Sequence, residues 1–107
     1  MNPQFAEAYS DRGIAKSDLG DKEGAIADDN KAIEVNPQYA GAYNNRGLAK
    51  YNLGDNKGAI ADYTKAIELN PQYAEAFNNR GVAKISLGDK KEALADYTKA
   101  IELNPQY

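Results

Sequence analysis

Apolar residues recur along this chain at helical spacing and are interrupted at regular intervals by Gly-Asp and Asn-Pro. In the middle of the sequence Ala59, Ile60, Tyr63, Ala66 and Ile67 fall at steps of one, three and four, which predicts a helix with one apolar stripe. Asn70-Pro71 ends it, because the residue before Pro avoids the α region and Pro has no backbone donor. The stretch upstream, from about Ala40 to Leu53, is rich in helix formers, contains no Pro and predicts another helix. Gly54 stands where a left-handed residue would terminate that helix, and Asp55 where a side chain would cap the next. Gly20-Asp21 and Gly88-Asp89 repeat the device. Asp89-Lys90-Lys91-Glu92 also completes a capping box, whereas Gly24 and Gly58 replace the Glu in the other copies. Neither helix alone is long enough to be stable in water, so each needs neighbours.

The pattern is a repeat. Asn-Pro-Gln followed by Tyr or Phe recurs at Asn2, Asn36, Asn70 and Asn104, always 34 residues apart. The chain divides into units 6–39, 40–73 and 74–107, and residues 1–5 look like the tail of a preceding unit. The second and third units are identical at 26 of 34 positions. Each unit predicts two antiparallel helices, so the fold class is all-α.

The units resemble tetratricopeptide repeats. That family has an aromatic at position 4 of the unit, met here by Tyr9, Tyr43 and Phe77, and Gly at position 8, met by Gly13, Gly47 and Gly81. Ala at positions 20 and 27 is met by Ala25, Ala59 and Ala93 and by Ala32, Ala66 and Ala100. The aromatic at 24 is met by Tyr63 and Tyr97, and Pro at 32 by Pro37, Pro71 and Pro105. The resemblance implies a right-handed α-α solenoid of three helical hairpins, with a concave groove that holds peptide ligands. Gly and Ala at facing positions suit such close helix packing, and stacked hairpins contact only their neighbours.

Three departures from the family pattern stand out. Position 7 is Arg12, Arg46 and Arg80, and position 11 is Lys16, Lys50 and Lys84, four residues on. This spacing predicts a basic ridge along the stack, with apolar stems covering the surface and charged heads in water; an anion-binding ridge is the sharper alternative. The third departure is Asp29, which stands where Tyr63 and Tyr97 stand. A carboxylate there is expected to reach Arg46 or Lys50 on the following helix, or to stay at a hydrated edge.

Differences among the units mark a candidate ligand face. In the first helix they fall at positions 2, 4, 5, 6, 9, 12 and 13, and apart from the Tyr-to-Phe change at 4 these make one helical stripe. The resemblance assigns that stripe to the groove. It carries Asp11 with Glu7 and Asp18 in the first unit, Asn44, Asn45, Leu48, Tyr51 and Asn52 in the second, and Asn78, Asn79, Val82 and Ile85 in the third. Asn offers donor and acceptor to an extended peptide backbone, and the apolar members supply contact area. Relatives that bind chaperone C-termini hold carboxylates with Lys, Arg and Asn. Only Asn45 fits that clamp, because Glu75 and Asn79 stand where Lys and Arg are expected and Ser10 replaces another Lys. A basic or neutral segment fits the acidic first unit better.

Composition narrows the remaining classes. Leu, Ile, Val and Phe make up only 18 of 107 residues, but 18 Ala and 8 Tyr supply the packing material, and a net charge of −3 argues against disorder. Cys and His are absent, no Ser has an identifiable base and no phosphate loop exists, so neither an enzyme, a metal nor a cofactor is expected. Net acidity argues against nucleic acid, and no apolar run is long enough to cross a membrane. Asn-Pro-x-Tyr at each unit corner is a structural turn rather than a sorting signal. The expected partner is a protein or peptide. An alternative role is expected at the ends. With no C-terminal capping helix, Leu94, Tyr97, Ile101 and Leu103 are candidates for head-to-tail self-association, as in an excised or engineered piece of a longer array.

Overall fold

The computed structural model describes residues 4–105, and the motifs at residues 2–3 and 106–107 lie outside them. Six helices follow one another: α1 (Gln4–Asp18), α2 (Lys22–Val35), α3 (Ala40–Asn52), α4 (Asn56–Leu69), α5 (Ala74–Ser86) and α6 (Lys90–Leu103). They pair as α1 with α2, α3 with α4 and α5 with α6, and the hairpins stack in chain order through α2 on α3 and α4 on α5. The result is an α-α solenoid measuring 39 × 26 × 22 Å.

The punctuation works as its chemistry requires. Gly54 adopts φ 90°, and the Asp55 N–H returns to the Lys50 carbonyl at 2.8 Å, closing the end of α3. Asp55 Oδ1 then accepts from the Gly58 N–H at 2.9 Å to start α4. The capping box at Asp89 forms only in half. The Glu92 N–H donates to Asp89 Oδ1 at 3.3 Å, but the Glu92 carboxylate lies 3.4 Å from Lys84 Nζ, and the Asp89 N–H is held by the Lys84 carbonyl. At the unit corners Asn70 Oδ1 accepts from the Gln72 N–H at 3.1 Å, which fixes the turn before α5. Gln4 and Phe5 form the start of α1. Both residues are acceptable in a helix, and neither carries a stop signal.

Small residues let the helices close. Ala25, Ala32, Ala42, Ala49, Ala59, Ala66, Ala76 and Ala83 are all buried. A Cβ on Gly47 would lie 2.8 Å from the Tyr63 ring, so only Gly lets that ring lie flat between α3 and α4.

The basic ridge is not a ridge. Arg46 grips Asp62 with two parallel bonds, from Nε at 2.8 Å and Nη2 at 2.7 Å, and Lys50 Nζ adds a third contact at 3.1 Å. Arg12 and Lys16 hold Asp28, and Arg80 and Lys84 hold Asp96, in the same way. All three aspartates are buried. Each guanidinium also lies over the aromatic of its own helix, 5.7 Å from Tyr9, 5.6 Å from Tyr43 and 5.5 Å from Phe77. The charged heads are thus bonded to buried carboxylates across the hairpin, which corrects the anion-binding expectation; they keep part of their contact with water, most of all Arg12 at 60%. Bonds from Arg12 hold the Asp28 carboxyl below its usual range against the cost of burial. Burial pushes Asp96 the other way, and Arg80 and Lys84 outweigh it.

Asp62→Ala removes the acceptor and strands two cations, which should cost about 2–4 kcal/mol, less than the roughly 3–5 kcal/mol of a fully buried pair because Arg46 and Lys50 still reach solvent. Urea unfolding of Asp62→Ala, Arg46→Ala and the double variant checks this. The two losses should be strongly less than additive.

Candidate functional site

The variable stripe occupies one side of α1, α3 and α5, where the three first helices lie next to one another. Its polar members do more than await a ligand. Asn45 Nδ2 donates to Ser10 Oγ at 2.7 Å, Asn79 Nδ2 donates to Asn44 Oδ1 at 3.2 Å, and the Tyr51 and Ser86 hydroxyls meet at 3.2 Å. Each pair is 35 residues apart, so each joins one first helix to the next. Asn44 also donates to Glu75 at 3.1 Å and is fully buried. It was expected to face a ligand. Position 5 instead lies at the edge of the stripe that turns toward the neighbouring first helix, so Asn44 is a tie within the stack.

The other nominated residues remain reachable. Leu48, Asn52, Ile85 and Asp11 are exposed, and Asn45, Tyr51, Asn78, Asn79 and Val82 are half-buried. Leu48 and Ile85 are large apolar side chains in water, one on each of two neighbouring helices.

Asp29 departs from both expectations made for it. It is 1% exposed and bonds neither Arg46 nor Lys50. Arg46 is already committed to Asp62 and to Asn30, and Lys50 to Asp62. The partner is Ser10, whose Oγ donates to Asp29 Oδ1 at 3.0 Å while accepting from Asn45. Ser10 lies on the variable stripe, but its tie to Asp29 was not foreseen, although a hydroxyl one helix away from an acid at a packing position was the available signal. Burial pushes the Asp29 carboxyl up to about 7, against the Ser10 bond and the field of Arg46, with Asp28 and Asp62 adding to the rise.

In the second unit Tyr63 fills the place that Asp29 leaves short. A Cβ on Gly13 would stand 3.5 Å from Asp29 Oδ1, compared with 2.8 Å between Gly47 and the Tyr63 ring. A cavity of about 60 Å³ results, with Gly13, Ala25, Asp29 and Asn45 in its walls and Ile14, Leu48, Ser17 and Asp18 around it. It opens on the variable stripe.

The end faces carry the residues expected there in part. Leu94 is 67% and Ile101 57% exposed, Leu103 is half-buried, and Tyr97 is half-buried with its ring close against Gly81. Among the described residues no group of acidic side chains is arranged to hold a metal ion, and no helix is long and apolar enough to cross a membrane.

The tetratricopeptide repeat profile matches residues 74–107, and a second profile, described as TPR repeat, matches residues 16–54 and 49–88. No curated protein matches the chain. Solved structures do. The first TPR of Spaghetti (RPAP3) bound to HSP90 peptide SRMEEVD is 28% identical, with a TM-score of 0.95 over 100% of this chain and 85% of that one. The second TPR of the same protein, bound to the same peptide, is 32% identical, with a TM-score of 0.92 over 96% of this chain and 95% of that one. The Arabidopsis OM64 TPR domain is 32% identical, with a TM-score of 0.95 over 100% and 88%.

Because the Asp29 carboxyl is raised from 3.8 to about 7, folding favours its protonated form. Its contribution is therefore most favourable below about pH 4, declines as pH rises toward 7, and is fully lost above that. Wild type should lose stability relative to Asp29→Asn over this window by on the order of 1–3 kcal/mol. Urea melts of both proteins at pH 4, 5.5, 7 and 8 measure the difference, and a constant gap would contradict the assignment.

Proposed function

The chain belongs to the tetratricopeptide repeat family, and from that premise we propose that it is a non-catalytic module that holds an extended protein segment along the stripe of α1, α3 and α5. The observation that carries this reading is the stripe itself. Leu48 and Ile85 stand exposed on a face that also carries half-buried Asn45, Asn79 and Tyr51, and a cavity lined by Asn45 and Leu48 opens at its first-unit end. Similarity to TPR domains bound to an HSP90 peptide supports a peptide as the ligand class.

The chemistry of this face favours a different peptide. SRMEEVD is acidic, whereas Glu7, Asp11, Asp18 and Asp29 surround the first-unit end of the stripe. The Arg and Lys residues that could offset them are bound to Asp28, Asp62 and Asp96. Like charge at close range disfavours an acidic tail, so the segment is neutral or basic. Peptides selected from a random display library on the wild-type chain should be depleted in Asp and Glu. They should lose at least tenfold in affinity to Leu48→Asp/Ile85→Asp, measured by fluorescence anisotropy. Equal binding to the variant, or tight binding of SRMEEVD, would refute the reading.

A second reading is end-to-end self-association, favoured by a specific match between the two ends. Inside the stack Arg46 donates to Asn30 at 2.9 Å and Arg80 to Thr64 at 3.2 Å, each across a junction between hairpins. Arg12 and Thr98 are the corresponding residues on the two end faces. Arg12 is 60% exposed, against 21% and 17% for Arg46 and Arg80. Ala8 and Ala15 are exposed where their counterparts Ala42, Ala49, Ala76 and Ala83 are buried. A second copy seated on Leu94 and Ile101 would repeat the internal junction. Sedimentation velocity should detect concentration-dependent association of the 107-residue chain that Leu94→Lys/Ile101→Lys abolishes. A strict monomer at millimolar concentration would rule it out.

A further inference from the structure

We propose that the cavity between α1, α2 and α3 is a receptor for one lysine side chain of the bound segment. This rests on the reading that the stripe takes an extended peptide, and it names what the first unit selects.

The cavity exists because one residue breaks the repeat. Tyr63 and Tyr97 press their rings against Gly47 and Gly81, whereas Gly13 faces the shorter Asp29. A buried carboxylate without a cation is costly unless something supplies one. Among the described residues Ser10 is the hydrogen-bond donor to Asp29, and it reaches only Oδ1. Asn45 spends one amide N–H on Ser10 and also lines the same space. The cavity thus offers an acceptor and calls for a donor.

Charge favours a cationic donor, and an ammonium is the most compact one a side chain offers. Arg46, the cation whose field Asp29 feels, is held by Asp62 and Asn30 and does not enter. At about 60 Å³ the space has room for more than a single water, and so for the tip of a side chain. Ile14 and Leu48, both exposed apolar side chains, line the cavity and could cover a methylene stem. Asp18 adds a further carboxylate to the lining.

Binding should depend on pH. The groups that act on Asp29 are Ser10 of α1, Asp28 of its own helix, Arg46 of α3 and Asp62 of α4. Tyr39, before α3, feels the same carboxylate, and Asp18 lines the cavity. With the carboxyl near 7 in the free protein, an ammonium meets the ionised form mainly above that pH. Affinity should therefore rise roughly tenfold between pH 6 and pH 8.

The test titrates acetyl-lysine methylamide and its norleucine counterpart into the isotopically labelled full chain. The NMR signals of Gly13, Ala25 and the Asn45 side-chain amide are followed at pH 6 and pH 8. The lysine compound should shift all three, roughly tenfold more tightly at pH 8, and norleucine at least tenfold more weakly than lysine at pH 8. Asp29→Asn should lose both the tight binding and its pH dependence. Asp29→Tyr should fill the cavity and bind neither compound while remaining folded. Equal binding of norleucine, unchanged binding to Asp29→Asn, or no shift at these residues would overturn the proposal. If capped lysine moves nothing while selected peptides still depend on Leu48 and Ile85, the pocket assignment fails and the groove reading survives. The reverse pattern, capped lysine binding at these residues while no selected peptide depends on Leu48 and Ile85, removes the groove reading and with it the assignment of the lysine to a bound segment.

Discussion

Each hairpin closes on a carboxylate that water barely reaches, held by one arginine and one lysine from the facing helix. Asp28, Asp62 and Asp96 occupy the same place in successive hairpins, and the bidentate bonds of 2.7 and 2.8 Å recur in all three. A planar guanidinium gripping a planar carboxylate, with an aromatic ring beneath it, restricts both distance and angle. In a protein with little Leu, Ile or Val to fill space, that restriction does work that bulk packing does elsewhere. The interiors between the helices are then lined by Ala and Gly, which tolerate close approach but specify little by themselves.

The same arrangement shapes the chemistry of the outer faces. It engages the three arginines and three of the ten lysines, and these cations are held by Asp28, Asp62 and Asp96 rather than by the acidic residues of the variable stripe. Ser10, Asn44, Asn45 and Asn79 form ties between first helices, which fix the spacing of the stripe from within. Side chains that a reader would assign to a ligand are therefore divided between holding the surface in shape and presenting it. Asn44 does the first, Leu48 and Ile85 the second, and Asn45 both.

Much of the fold was legible because its signals are local. Gly-Asp and Asn-Pro act on one or two neighbouring residues, and the apolar spacing within one helix defines its buried side, so the six helices and their family follow from the chain itself. The clamps were not legible in that way, since Arg46 and Asp62 meet only once the hairpin angle is known. A hint was present nonetheless: the charges at Arg46, Lys50 and Asp62 persist in all three units, as expected of packing residues. The stripe was right in outline and uncertain at its margin, because a helical face about 100° wide has edges that serve neighbours. Asp29 was conspicuous in the sequence, yet its partner depended on which cations were already occupied.

The unfilled place beneath Asp29 also gives the stack a direction. In a linear array each hairpin is stabilised by its own closure and by the neighbours it touches. The first hairpin has a neighbour on one side only among the described residues, lacks the ring that braces the second, and contains the one buried acid without a cation. Of the two end hairpins the first is therefore the less braced. A segment lying across α1 and α3 would add contacts at that end, so its occupancy and the persistence of the first hairpin would be linked.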